Sequence, residues 1–201
     1  GAGEISARTT RRFVFYGRPE SHAKPNLMTI ALKAIDRAAR DRAFDGARWE
    51  FYMMGSSRMG KSFALGGLTI NCLPNQSYEA YRKQLAGFDV GMVLMYAPHP
   101  SVPPFEMVRS GVVTVVNTTI SRDAQWYRAV SGNFEPAEPT VEGLAEAFAR
   151  AATRCTDGAA RQAAAGTYHP SNWSDSFTAM TGPLTHPLLA LARQPLVADA
   201  D

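Results

Sequence analysis

The feature that most constrains the fold is the stretch of residues 89–119, DVGMVLMYAPHPSVPPFEMVRSGVVTVVNTT. Residues 90–96 form an apolar run without alternation, which is typical of a strand buried on both faces of a parallel sheet. A proline-rich loop follows, then a short helix over residues 105–110, and then a β-branched strand over residues 112–116. Such a short βαβ unit places a helix N-terminus just beyond a strand, where we expect unpaired N–H groups to form a seat for phosphate.

The size and charge of the chain are those of one globular domain. It has 201 residues, and 21 basic against 18 acidic residues leave a formal net charge of +3. The arginines are scattered, so we expect no nucleic-acid partner. Cys72 and Cys155 show neither a disulfide framework nor metal-ligand spacing, which favours a reducing compartment and no bound metal.

The chain lacks the hydrophobic signals of a membrane protein. No apolar run approaches the roughly 18 residues that would span a bilayer, and no signal peptide is visible. We therefore expect a cytoplasmic protein without a transmembrane segment, either free or peripheral to the inner face of the membrane.

Strands and helices alternate along the rest of the chain. We predict strands at residues 12–16, 49–54 and 68–71, amphipathic helices beginning near Pro25, Ser77 and Thr140, a proline-spaced loop at residues 135–140, and a last amphipathic segment with Trp173, Phe177 and Met180. This alternation predicts an α/β fold, a Rossmann-like parallel sheet with helices on both faces. The predicted organisation is a tag or linker over residues 1–11, one domain over residues 12–180 and a tail over residues 181–201.

One phosphate-binding motif offers an alternative function. Residues 55–62, GSSRMGKS, match G-x-x-x-x-G-K-[ST], which would make the protein a P-loop nucleotide hydrolase. The motif requires a helix that opens at Lys61, but Gly66 and Gly67 follow within a few residues. A flexible glycine- and serine-rich loop with a surface lysine is the simpler interpretation.

A second group of residues follows the predicted strands. Gly17, Arg18 and Lys24 follow the first strand, Gly55 the second, Leu73 the third, and His99, Ser101 and Glu106 the fourth. In a parallel sheet all these loops lie at one edge, which would then offer two cations and a carboxylate. Cations and a helix N-terminus suit a diphosphate, and a carboxylate suits the hydroxyls of a ribose.

These residues resemble a known family. The order of elements over residues 12–155 is similar to the C-terminal, nucleotide-sugar-binding half of GT-B glycosyltransferases. The local sequence most resembles rhamnosyltransferases of the WsaF type and, more broadly, retaining glycosyltransferases of family 4. The segments that carry this resemblance are YGRP, then Lys24-Pro-Asn, and residues 89–111. The resemblance implies one half of a GT-B fold and a transferase that needs no cofactor or metal.

The resemblance also implies roles for single residues. Arg18 and Lys24 match the basic pair that neutralises the donor diphosphate, and we take them with Glu106 as the catalytic set. Glu106 matches the second glutamate of an E-x7-E motif, which binds the ribose; Pro98 stands at the first. The other expected substrate-binding residues are Gly17, Gly55, Leu73 at the nucleobase, His99 and Ser101 in place of the usual Gly-Phe-Gly loop, and Pro104 and Phe105 at the β-phosphate.

The resulting hypothesis is a donor-binding domain of a glycosyltransferase that builds bacterial surface polysaccharide, with dTDP-rhamnose as donor. Because a GT-B enzyme binds its glycan acceptor on an N-terminal domain, we expect this chain to bind donor without turning it over. The alternatives are the P-loop hydrolase and a non-catalytic α/β binding module that has lost the donor site.

Overall fold

A computed structural model describes residues 2–56, 60–97 and 99–167. Its strands are β1 Thr10–Tyr16, β2 Arg48–Met54, β3 Ser62–Leu65, β4 Leu68–Cys72, β5 Val90–Val93, β6 Val113–Asn117 and β7 Phe134–Ala137. They form one sheet in the order β3-β4-β2-β1-β5-β6-β7, parallel throughout except for β3, which runs antiparallel to β4. The predicted α/β, Rossmann-like class is confirmed.

Helices connect the parallel strands. They are α1 Ala2–Ser6, α2 Met28–Arg40, α3 Tyr78–Leu85, α4 Pro103–Arg109, α5 Ala124–Val130, α6 Val141–Arg154 and α7 Gly158–Ala165, with a 3₁₀ segment Ser21–Asn26 before α2. The predicted helix starts at Ser77 and Thr140 are confirmed, since each residue caps its helix: the Ser77 hydroxyl accepts from the Ala80 amide and the Thr140 hydroxyl accepts from the Gly143 amide. No helix within the described residues is long and apolar enough to cross a bilayer.

The two faces of the sheet bury different helices because side chains alternate along each strand. Phe13 and Phe15 of β1 lie in the larger core cluster together with buried residues of α2 and α6. Val14 lies in the cluster on the other face, with Leu85 of α3 and Met107 of α4. This two-sided burial explains why the strand segments are apolar without alternation.

Two local predictions differ from the structure, and a third falls outside the described residues. Residues 2–11, expected as tag or linker, form α1 and the first residues of β1, where Arg11 is buried. The predicted loop at residues 135–140 is wrong at its start, because β7 Phe134–Ala137 is an edge strand, where a proline is tolerated. The predicted segment with Trp173, Phe177 and Met180, like the predicted tail, lies outside the described residues.

The P-loop alternative is also contradicted. The motif requires a helix that begins at Lys61, whereas Ser62–Leu65 form the antiparallel strand β3. Gly66 and Gly67, both with positive φ angles, form the hairpin turn to β4. The two-glycine turn determines the local structure here, because it reverses the chain so that β3 pairs with β4 at the edge of the sheet.

Candidate functional site

The connections of the sheet create a crevice between β1 and β5. The chain moves from β1 outward to β2, and after β4 it crosses back to β5 on the other side of β1. In open α/β sheets, ligands bind at such a switch point, beyond the carboxyl ends of the strands. We call the rim formed by the loops after the parallel strands the carboxyl edge. It holds every described residue of the predicted site.

The loops after β1 and β5 meet directly above this crevice. The Tyr96 amide, beyond β5, donates a hydrogen bond of 2.7 Å to the Pro25 carbonyl in the 3₁₀ segment after β1. Lys24 is the residue before Pro25, and Glu106 follows in α4. The structure therefore brings the basic segment and the α4 carboxylate to neighbouring strand ends, as the parallel arrangement predicted.

Two glycines allow the loops after β1 and β2 to approach each other. A Cβ atom on Gly17 would lie 2.5 Å from the Phe15 ring and 2.9 Å from the Met53 sulfur. Gly55 has a φ angle of +106°, and a Cβ there would lie 3.2 Å from the Gly17 carbonyl oxygen. Both predicted positions therefore shape the backbone of the carboxyl edge.

Arg18 is oriented by neighbours on both sides. Its Nε lies 3.7 Å from Glu20 Oε2, and its Nη2 lies 3.1 Å from His22 Nε2. The Ser56 hydroxyl donates to Glu20 at 2.6 Å, which lowers the pKa of that carboxyl and keeps it ionised beside the guanidinium. Arg18 Nε is buried and has no hydrogen-bond acceptor within the described structure, so this guanidinium retains unused donor capacity.

Arg18 and Lys24 line the same groove. Its volume is about 560 Å³, and its other walls come from Glu20 and the first turn of α2. Lys24 is exposed, and Leu27 adopts a left-handed backbone with a φ angle of 50° that turns the chain into α2. The two predicted cations thus share one concave surface of a size suited to a small ligand.

Glu106 lies in the first turn of α4 and has a specific partner. The Tyr81 hydroxyl of α3 donates to Glu106 Oε2 at 2.9 Å. Burial of Tyr81, followed by the negative charge of Glu106, raises the pKa of the phenol far above its usual range, so the hydroxyl stays protonated. Sequence reasoning missed this partner.

The loop between β5 and α4 is fixed at its start. The Asn117 side chain, at the end of β6, accepts from the Met95 amide at 2.7 Å and donates to the Met95 carbonyl at 3.3 Å. Further along, Ser101 has a φ angle of +70°, and its amide donates to His99 Nδ1 at 3.3 Å. A non-glycine residue held in this conformation is a feature found at functional loops.

The structure contradicts the predicted seat of free amides at the start of α4. Pro103 and Pro104 carry no N–H group, and the amides of Phe105 and Glu106 both donate to the Val102 carbonyl. The Phe105 ring packs edge-on against Phe134, so it belongs to the core of the other sheet half. Arg18 and Lys24 are therefore the groups at this edge that could offer positive charge to a phosphate.

Leu73 follows β4 at the carboxyl edge, where its amide donates to the Met53 carbonyl of β2 at 2.8 Å. Its half-buried side chain packs with Tyr16 and Tyr81 on the core cluster beneath α3. Sequence reasoning did not identify Glu20, Ser56 or Tyr81, because only the tertiary fold pairs them with Arg18 and Glu106. Within the described residues no group of three acidic, histidine or cysteine side chains is arranged to hold a metal ion.

Comparison with known proteins places this geometry in context. The family model for the WsaF C-terminal domain matches residues 11–149. The O-antigen biosynthesis protein RfbC of Myxococcus xanthus is 30% identical over 152 residues, which cover 75% of this chain and 11% of that protein.

Solved structures share the fold. A UDP-forming α,α-trehalose-phosphate synthase from Burkholderia xenovorans superposes with a TM-score of 0.63 at 16% identity, over 89% of this chain and 48% of that one. Sucrose-phosphate synthase from Thermosynechococcus elongatus superposes with a TM-score of 0.56 at 12% identity, over 94% and 48%. The chain thus spans about half of each solved structure, and its fold is that of one GT-B half.

Proposed function

Since this chain belongs to the family of WsaF C-terminal domains, we propose that it is the nucleotide-sugar-binding domain of a glycosyltransferase. One observation carries the proposal. Arg18 and Lys24 line one groove beyond β1, and that loop is hydrogen-bonded to the loop that leads from β5 to Glu106. Two cations and a carboxylate that follow neighbouring strands at a topological switch point suit the diphosphate and the pentose of a nucleotide sugar.

The chemistry follows from these charges. When the glycosidic bond to the diphosphate breaks, negative charge grows on the departing nucleoside diphosphate. Arg18, held in place by Glu20, and Lys24 would stabilise that charge without reorganising. Glu106 would fix the nucleoside by accepting hydrogen bonds from the pentose, and Leu73 would contact the base. Arg18, Lys24 and Glu106 therefore form the proposed catalytic set.

The donor that we propose is dTDP-rhamnose, and the product is a bacterial surface polysaccharide. The relationship to an O-antigen biosynthesis protein supports the polysaccharide, and the resemblance to WsaF-type rhamnosyltransferases supports the sugar. The substrate loop at His99 and Ser101 would hold the sugar in place of a glycine-rich loop. No obligatory metal enters this mechanism.

Transfer itself requires an acceptor, which we propose binds on a separate domain. The carboxyl edge exposes the large apolar side chains of Tyr96, Val102 and Ile120. Exposed apolar side chains at this edge fit contact with another domain across a cleft. We therefore expect the chain alone to bind donor without transferring sugar, and measurable transfer by this chain alone would contradict that expectation.

A thermal-shift panel tests the proposal. The chain is heated with dTDP-, UDP- and GDP-sugars, each with and without magnesium. We expect dTDP-rhamnose to raise the melting temperature most, with no dependence on magnesium, because the described site offers cations in place of a metal. The absence of a shift with every nucleotide would instead favour a binding module that has lost the donor site.

A further inference from the structure

The hydrogen bond from Tyr81 makes the two oxygens of the Glu106 carboxylate inequivalent. Oε2 accepts from the Tyr81 hydroxyl at 2.9 Å. Oε1 receives no hydrogen bond from any residue in the described parts of the chain. The oxygen left for a ligand is therefore Oε1, and Tyr81 determines the orientation in which it is presented.

Tyr81 is held firmly enough to impose this division. Its ring packs with Tyr16, Tyr52 and Leu73 on the buried cluster of Val14, Leu85 and Met107. Because the phenol stays protonated, as described above, its hydroxyl remains available as a donor to Glu106. Glu106 is itself fixed in α4, so neither partner needs to reorganise to keep the hydrogen bond.

The number of free carboxylate oxygens bears on which pentose is recognised. A ribose presents 2′- and 3′-hydroxyls side by side, and a carboxylate that accepts both uses one oxygen for each. A 2′-deoxyribose presents the 3′-hydroxyl alone. A carboxylate with one oxygen already engaged suits a single hydroxyl, since further hydrogen bonds to Oε2 must share it with Tyr81.

We propose that Tyr81 restricts Glu106 to one pentose hydroxyl, so that this site gains little affinity from a 2′-hydroxyl and accepts 2′-deoxyribonucleoside diphosphates. The inference deepens the proposed function and rests on it. Tyr81 acts here as a positioning and specificity-determining residue: it binds no ligand atom itself and works through Glu106.

Calorimetric titration with dUDP and UDP tests the inference, because these two nucleotides differ only in the 2′-hydroxyl. For the unmodified chain we expect dissociation constants within about threefold of each other. In Tyr81→Phe both Glu106 oxygens become available, and we expect the affinity for UDP relative to dUDP to rise about tenfold, the scale of one added hydrogen bond to a charged group.

A matched control is Tyr78→Phe. Tyr78 precedes Tyr81 by one helical turn, its ring lies 6.3 Å from the Tyr81 ring, and its side chain is exposed. This variant removes a phenolic hydroxyl from the same helix without touching Glu106. The ratio of the affinities for UDP and dUDP should therefore stay at the value of the unmodified chain. A general disturbance of α3 would instead change both variants alike.

The outcomes separate the two levels of the proposal. If the unmodified chain binds neither dUDP nor UDP, the proposed function fails. If it binds both but prefers UDP by more than about threefold, the restriction by Tyr81 is wrong. The inference is equally overturned if Tyr81→Phe leaves the ratio within threefold of the unmodified value, or if Tyr78→Phe shifts it as much.

Discussion

The two edges of the sheet use the same types of side chain, arginine and carboxylate, in opposite ways. At the edge where the parallel strands begin, which we call the amino edge, Asp89 is fully buried. Its Oδ1 accepts from Arg8 at 2.9 Å, Arg161 at 2.8 Å and Arg11 at 3.4 Å. Its Oδ2 accepts from the Arg12 amide at 2.9 Å. At the carboxyl edge, Arg18 retains a buried Nε without an acceptor in the described structure.

The arginines of the amino edge direct most of their donors to acceptors of the protein itself. Arg161 also donates to the carbonyls of Gly111 and Phe88, and Arg8 donates to those of Ala86 and Gly87. These carbonyls lie at the ends of α3 and α4, where free acceptors need partners. The amino edge thus ties the first and last described helices to the sheet, whereas the carboxyl edge keeps its cations available.

The two edges differ in a way that distinguishes a structural charge from a functional one. Both edges contain arginines beside a carboxylate, so residue type alone does not separate them. What separates them is burial together with hydrogen-bond saturation, and substitutions at the two edges should therefore change different measured quantities.

The largest effect should come from the amino edge. In Asp89→Asn the buried guanidinium of Arg161 loses its counter-charge, and burial already lowers the pKa of Arg161. We expect the free energy of unfolding to fall by about 3–5 kcal/mol, as for other broken buried ion pairs, measured by urea denaturation.

The matched control for that change is Asp41→Asn. Asp41 pairs with Arg37 at 2.7 Å, but both side chains are about half exposed. We expect a loss of at most about 1 kcal/mol here. Equal losses in the two variants would show that saturation at the amino edge contributes nothing special.

The next largest effect is expected for a substitution at the carboxyl edge, and it should appear in ligand binding. Arg18→Ala removes one cation from the groove, and we expect affinity for dTDP to fall about tenfold to a hundredfold, the range of a charge-assisted hydrogen bond. Stability should fall by no more than about 1 kcal/mol, because Glu20 lies 3.7 Å away and keeps its hydrogen bond from Ser56. Calorimetry together with urea denaturation checks both, and Arg40→Ala, on the exposed face of α2, is the control that should alter neither.

A smaller loss is expected for Glu106→Ala. The variant removes the proposed acceptor of one pentose hydroxyl, so affinity for dTDP should fall about tenfold. Affinity for inorganic pyrophosphate should stay the same, because Arg18 and Lys24 are intact. If pyrophosphate binding fell equally, Glu106 would act by shaping the groove and not by holding the nucleoside.

The smallest effect concerns the two thiols. Burial and the nearby Asp89 carboxylate raise the pKa of Cys155 to about 11, and Cys155 is fully buried at the amino edge. Cys72, at the end of β4, is partly exposed, and burial raises its pKa as well. Labelling with a disulfide reagent at pH 8 should modify Cys72 first, and faster modification of Cys155 would indicate that the amino edge opens readily.

Much of the fold and part of the site could be predicted from local pattern. The apolar runs around Val14 and Val93 predicted parallel strands, and the residues after those strands predicted the carboxyl edge. The partnership of Tyr81 with Glu106 could not be predicted, because 25 residues separate them and only the crossover of α3 over the sheet joins them. The amino edge was missed for the same reason, since Arg8 and Arg161 lie far apart in the chain.

The start of α4 shows the opposite failure. A short helix after a strand predicted free amides, but Pro104 has no N–H group and the Phe105 amide bonds back to Val102. The residues that formed the pattern also removed the donors that it was expected to supply. Helix position alone therefore overstated what this helix offers to a phosphate.

An NMR titration of the ¹⁵N-labelled chain with dTDP would show which edge binds the nucleotide. We expect the amide shifts to change around Gly17, Arg18 and Lys24 and around Glu106, while the amides near Asp89 and Arg161 stay unmoved. Shift changes concentrated at the amino edge, or none at saturating dTDP, would refute the proposed donor site.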